Sequence, residues 1–250
     1  MPFPKHLFTT QALLKVFLFA LLLPLSAIAQ QSNTISFAGG YSIPIGKFAS
    51  KQFSDPEAGL AGSGFYGQLS YERKLANWWG VRLTGSLNSN ETNANPLIEQ
   101  YSILLPNPDT YSWKSEVTKW ELGAVLVGPM AYKSIGKVEF TAHVQGGLVF
   151  AKSPDVKLFG TSTTGQNAVE GRITSGSTNA FGLGGGGSLR FRLSNSLRFQ
   201  ITGDWIGARA ELKGVPTYVK VGNFPAIEGT ETRKRFVGVI NTGAGFVVVF

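Results

Sequence analysis

Residues 137–150 read KVEFTAHVQGGLVF, and the order of large and polar side chains in that stretch decides the fold. Val138, Phe140, Val144, Leu148 and Phe150 share one parity; Glu139, Thr141, His143 and Gln145 share the other. Successive side chains of an extended chain point to opposite faces, so this is a strand with one apolar and one polar face.

The same period recurs in seven other segments. Thr34–Ile43 sets Ile35, Phe37, Tyr41 and Ile43 against Ser36, Ala38, Gly40 and Ser42. Gly64–Leu75 sets Phe65, Leu69 and Tyr71 against Gln68, Ser70, Glu72 and Lys74, and Trp79–Asn88 sets Trp79, Val81, Leu83 and Leu87 against Arg82, Thr84 and Ser86. Ser115–Gly128 is less clean, with Trp120, Leu122, Ala124 and Leu126 opposing Lys119 and Glu121. Asn179–Leu193 opposes Phe181, Leu183, Leu189 and Phe191 to Ser188, Arg190 and Arg192. Leu197–Leu212 opposes Phe199, Ile201 and Trp205 to Arg198, Gln200, Thr202 and Asp204. In Lys234–Phe250 the alternation weakens, because Val237, Val239, Val247 and Val249 oppose Phe236, Ile240, Phe246 and Val248.

Composition agrees. Only 15% of the 250 residues are charged, against about 25% in soluble domains, and there are 31 Gly and no Cys. The lack of Cys excludes disulfides, thiol nucleophiles, Cys-based zinc sites and a lipid-modified N-terminal Cys. Lys5, His6 and Lys15 precede an apolar run from Val16 to Leu23, followed by Pro24 and the triplet Ala27-Ile28-Ala29. That order is a secretory signal peptide spanning residues 1–29, too short in its apolar part for a spanning helix, with the mature domain covering 30–250.

The connections alternate in length. Those at 76–78, 129–136 and 194–196 are short, whereas 44–63, 89–114, 151–178 and 213–233 are long. Eight strands joined this way make an antiparallel up-and-down transmembrane β-barrel, with short periplasmic turns, long external loops and both termini periplasmic. A secreted lipocalin-like barrel has the same strand count but buries its large residues. Three features favour lipid outside. An eight-stranded lumen is too narrow for many large side chains, the smaller face carries charges of both signs, and the segments are long enough to cross at a tilt.

On the signal peptide, these eight segments and the terminal GFVVVF (245–250), the chain resembles the small outer-membrane β-barrel family typified by the OmpA/OmpX-like eight-stranded barrels. The resemblance covers residues 30–250 and implies a Gram-negative outer-membrane location with outer-membrane lipid as surroundings. It also implies insertion by the barrel assembly machinery, with Phe246, Val248 and Phe250 resembling its C-terminal signal. With nothing following Phe250, a periplasmic peptidoglycan-binding domain is not expected.

Parity sends Glu72, Arg82, Glu139, Arg190, Arg192 and Arg198 into the lumen near the short-turn end, and Glu121, His143 and Asp204 nearer mid-barrel. Opposite charges confined there pair, because a lone buried charge is costly. The expected result is a plug; the alternative is a narrow path for small or hydrophobic solutes. Some barrels of this kind modify lipid with a Ser–His–acid group, but His143, the one histidine after residue 29, points inward, away from a lipid-facing site. The run Gly182–Gly187 lies in a strand, lacks a Gly-Lys-Ser/Thr ending and precedes no helix, so it is not a phosphate loop. No metal cluster, cofactor motif or basic stripe for nucleic acid is visible. The long loops contain apolar runs such as Tyr101–Leu105, Val156–Phe159 and Tyr218–Val221, which read as hairpin extensions or as a surface for an unidentified ligand or partner. The expectation is a non-enzymatic barrel with a structural or surface-contact role.

The signal-peptide reading has a direct check. Mass spectrometry of the native protein should find Gln30 as the first residue, in the outer-membrane fraction; an intact Met1 or a soluble periplasmic pool contradicts it.

Overall fold

The computed structural model describes residues 33–52, 55, 57–103, 105, 110–165 and 167–250; the expected signal peptide lies outside them. Eight strands close a ring: β1 (Asn33–Pro44), β2 (Ala61–Lys74), β3 (Trp79–Thr92), β5 (Trp120–Ile135), β6 (Val138–Lys152), β9 (Ser177–Arg192), β10 (Leu197–Val221) and β11 (Ile227–Val249). Every neighbouring pair is antiparallel, and β11 pairs with both β10 and β1. The first and last described strands close the seam, where Asn33 and Phe250 exchange backbone hydrogen bonds of 2.9 Å each. No helix among the described residues is long and apolar enough to cross a membrane.

The outside is apolar. Phe37, Phe65, Leu87, Val144, Phe181 and Phe246 are exposed, while their polar neighbours in sequence are buried. Around the short-turn end runs a row of rings across β9, β10, β11 and β1: Phe191–Phe199, Phe199–Phe246 and Phe37–Phe246, with centroids 5.9–6.4 Å apart. Trp78, Trp79 and Phe250 are exposed on the same end. A soluble barrel would reverse this arrangement.

The inward face is crowded by its own curvature. A Cβ placed on inward-facing Gly64, Gly147 or Gly245 would sit 1.9–2.2 Å from a carbonyl oxygen of the adjacent strand. On outward-facing Gly67, Gly85 or Gly203 it would meet nothing within 4 Å. The glycines of the inward face are therefore a consequence of a tightly curved ring.

Three expectations need correction. In β5, Leu122, Ala124 and Leu126 point inward and Glu121 points outward, where it pairs with Lys152 (3.1 Å). Both faces of β5 are apolar at mid-strand, so alternation cannot choose between them; the choice is made by the register, which sets Thr84 opposite Leu126 and Glu121 opposite Lys152. Second, 129–136 is not a connection. β5 continues through Pro129 to Ile135 and turns at Gly136, whose φ of 61° suits a two-residue hairpin turn. Third, 213–233 is mostly strand: β10 and β11 extend beyond the ring as one long hairpin. The hairpin changes register between Leu212 and Val215, at Gly214 with φ 61°, as a glycine bulge does.

The other long connections also hold structure. β4 (Tyr111–Val117), β7 (Val156–Ser162) and β8 (Val169–Ile173) pair in sequence, and β8 joins the extended part of β10. Together with the tip of β11 they form a sheet above the ring. It has a small core of its own, in which Leu60, Leu97 of helix α1 (Asn95–Ile103), Val156 and Leu158 pack together.

The corrected facing of β5 yields a paired test. Leu83→Arg places a charge on the apolar outer face and should cost about 2–4 kcal/mol of unfolding free energy in lipid vesicles. Glu121→Gln removes one partner of an exposed ion pair and should change it by less than about 1 kcal/mol. A large loss from Glu121→Gln returns that residue to the lumen.

Candidate functional site: a layered lumen

At the short-turn end the register itself juxtaposes opposite charges. Glu72 on β2 stands directly opposite Arg82 on β3, and Glu139 on β6 directly opposite Arg190 on β9. Arg190, however, reaches across the ring. Its Nη2 and Nη1 donate to the two carboxylate oxygens of Glu72 at 2.6 and 2.7 Å. In the ring order β11-β1-β2-β3-β5-β6-β9-β10, strands β2 and β9 are diametrically opposed, so this bidentate pair spans the lumen. Glu72, Arg82 and Arg190 are all at most 2% exposed.

The pair is embedded in further contacts. Glu72 accepts from the Thr34 hydroxyl at 2.9 Å and lies 3.5 Å from Arg82. Glu139 gathers Lys74 (3.0 Å), Arg190 (3.4 Å) and Arg198. Arg82 also donates to Ser70 and Thr84. Its Nη1 approaches His143 Nδ1 at 3.4 Å; a guanidinium only donates, so Nδ1 is the acceptor and His143 Nε2 faces Asp204 at 3.2 Å. Thr202 donates to the other Asp204 oxygen at 2.8 Å.

Of the charges assigned by parity, the structure therefore gathers Glu72, Arg82, Glu139, Arg190, Arg198 and Asp204 inside, with His143 among them. Arg192 has the inward parity but lies at the open mouth of β9 and is exposed. Glu121 lies on the opposite face, as described. Lys74 and Thr34 belong to the cluster although the sequence reading does not single them out; parity is their only signal.

Above the charges β1, β3 and Asn241 of β11 supply amides and hydroxyls. Asn88 donates to Ser42 (2.9 Å) and Asn241 (2.6 Å), and Asn90 donates to the backbone of Ser42 and Gly62. Facing them, β5, β6, β10 and β11 contribute Leu122, Leu126, Val149, Ile206, Leu212, Val237 and Val239 as an apolar layer. A 3-10 turn at Gly46–Ala49 in the first long connection lowers Phe48 onto it. Phe48 is fully buried edge-on against Trp120, 5.1 Å between centroids, and Trp120 Nε1 donates to the Gly59 carbonyl at 2.9 Å.

Glycines make the room. A Cβ on Gly186 would fall 2.4 Å from an Asp204 oxygen, on Gly184 2.7 Å from Leu126, and on Gly182 2.4 Å from Val149. The run 182–187 is thus the wall against which these interior side chains fit. No group of metal-ligating side chains occurs among the described residues.

A closed eight-stranded ring, apolar outside and polar within, defines the class: a small transmembrane β-barrel of the outer-membrane type. No family model matches the chain, and no curated protein matches it. Solved structures with a similar arrangement include a major outer membrane protein of Thermus thermophilus, at 15% identity over 88% of this chain and 99% of that one, with a TM-score of 0.45. OprG of Pseudomonas aeruginosa is similar at 12% identity over 88% and 95%, TM-score 0.43, and the attachment invasion locus protein Ail of Yersinia pestis at 14% over 88% and 97%, TM-score 0.38. At such identities and scores the assignment rests on the ring, its register and its apolar exterior, not on these likenesses.

Breaking the cross-lumen pair should be expensive. Arg190→Leu leaves Glu72 without its bidentate partner and should cost about 3–5 kcal/mol in a urea titration of the vesicle-inserted barrel. Glu72→Gln also strips Arg82 of its acid, so it is costly by itself, but the Arg190→Leu, Glu72→Gln double variant should lose clearly less than the two single losses added. Additive losses contradict the pairing.

Proposed function

We propose that the protein is a closed, non-enzymatic outer-membrane barrel whose role lies in the sheet it raises above the membrane. The observation that carries this reading is the Glu72–Arg190 pair between opposed strands, with the apolar Phe48–Trp120 layer above it. Two layers of different chemistry fill one narrow lumen. A solute crossing it would have to displace both a buried ion network and a packed aromatic pair.

The termini and the short turns face the periplasm, and β4, β7, β8 and the β10–β11 hairpin face outward. The short-turn end carries the Trp78, Trp79 and Phe250 rim, and the other end carries the structured connections, as in barrels whose external loops are long. Phe246, Val248 and Phe250 act as the insertion signal: all three face lipid on the last strand, at the seam that must close last. The absence of catalysis is supported by His143, whose two ring nitrogens face Arg82 and Asp204 inside the barrel, away from lipid. The raised sheet ends in β4, an edge strand with exposed Glu116 and Lys114, and is the surface offered to a partner outside the cell.

Planar-bilayer recording tests the closed lumen. Purified protein should show no repeated discrete openings, and Phe48→Ala with Trp120→Ala should not open it, since the charge layer remains. Regular unitary steps in the unaltered protein favour the solute path instead.

A further inference from the structure

Where the ring meets the raised sheet lies a cavity of about 60 Å³, lined among others by Trp120, Leu97, Val156, Leu212, Arg233 and Arg235. Arg235 is the anomaly. It projects inward from β11, is 7% exposed, and its guanidinium carbon lies 5.5 Å from the centre of the Trp120 ring. Its Nε has no hydrogen-bond partner, and no carboxylate among the described residues forms an ion pair with it. Every other buried arginine among the described residues is met by an acid: Arg82 and Arg190 by Glu72, Arg198 by Glu139.

The acids near it are engaged elsewhere. Asp55 lines the same cavity but contacts Lys47 and accepts from the Glu57 amide; the Lys47 hydrogen bond holds its carboxyl below the usual range, so it stays committed to that ammonium. Glu231 pairs with Arg233. Arg233 and Asp55 on the cavity wall are thus each already matched, and Arg235 is the guanidinium there that no carboxylate meets among the described residues. A face-on aromatic contact does not replace the hydrogen bonds a buried guanidinium forgoes, and the fork of Arg suits the two oxygens of a carboxylate or phosphate. At about 60 Å³ the cavity is several times the ~10–15 Å³ that one ordered water requires, room enough for one such group.

We propose that this cavity is an anion site, in which Arg235 binds a single oxyanion group, either a free inorganic anion or the terminal phosphate of a larger surface molecule. Occupation would tie β11 to the first connection and to the raised sheet, all of which line the cavity.

The test is calorimetric titration of the folded barrel in detergent with inorganic phosphate and, separately, with glucose 6-phosphate, both against chloride at matched ionic strength. Saturable binding of phosphate alone supports a free anion; binding of both supports a terminal group on a larger molecule. In either case Arg235→Gln should weaken affinity at least tenfold while the barrel still migrates as folded. No saturable binding of either probe, or equal affinity in Arg235→Gln, overturns the proposal. If Arg235→Gln does not insert, the urea midpoint of the unaltered protein decides: it should rise with phosphate beyond its value in chloride, and no rise overturns the site.

Discussion

The inner circumference of an eight-stranded ring is the constraint on which the rest of this molecule depends. With so little room, an inward side chain must be absent, small or matched to a neighbour already there. The inward glycines are the first answer: at Gly64, Gly147 and Gly245 the adjacent backbone occupies the space a Cβ would need. The Glu72–Arg190 pair is the second, two long side chains from opposite walls that fill the lumen only because each meets the other end to end. The apolar layer is the third, where Leu126 and Val149 rest against Gly184 and Gly182.

Charge in the lower lumen is nearly balanced. Glu72, Glu139 and Asp204 face Lys74, Arg82, Arg190 and Arg198, in a shell where each carboxylate touches at least one positive or hydrogen-donating group. Such a cluster contributes little net stability relative to an apolar filling, but losing any one member exposes the full cost of the partner left behind. It also sets the register. Sliding β2 along β3 by one residue would turn Glu72 toward lipid, so the ion network and the apolar exterior each reject the same misalignments.

How much of this is legible in the sequence follows from what period two can encode. Six of the ring strands present one clearly larger face and β11 a weaker one, and parity alone places Glu72, Arg82, Glu139, Arg190, Arg198 and Asp204 together. It fails at β5, where Leu122 and Leu126 oppose Val125 and Val127 and neither face is larger; only pairing with Thr84 and Lys152 decides. Parity also says nothing about where a strand ends, which is why Arg192, one step beyond Arg190 on the same face, lies outside. Partner identity is hidden for another reason. Glu72 and Arg190 are 118 residues apart, and their meeting depends on strand tilt and lumen width, neither of which is written in any one segment. The raised sheet is legible in part: the runs Val156–Phe159 and Tyr218–Val221, read as hairpin extensions, lie in β7 and β10, but their pairing with Tyr111–Val117 and Val169–Ile173 joins short segments, two of them remote in sequence, and no period marks it.

The β10–β11 hairpin carries a further consequence. Outward polar side chains begin at Arg209, and from there β10 runs on to Val221, roughly 40 Å at ~3.3 Å per residue. In the orientation proposed above, the tip stands off from the apolar band on a stalk built from the very strands that close the ring. The tip residues and those that hold the barrel in the bilayer then share two strands but lie at opposite ends of them. Substitutions at the tip can change what the surface displays while insertion and closure go on unaltered.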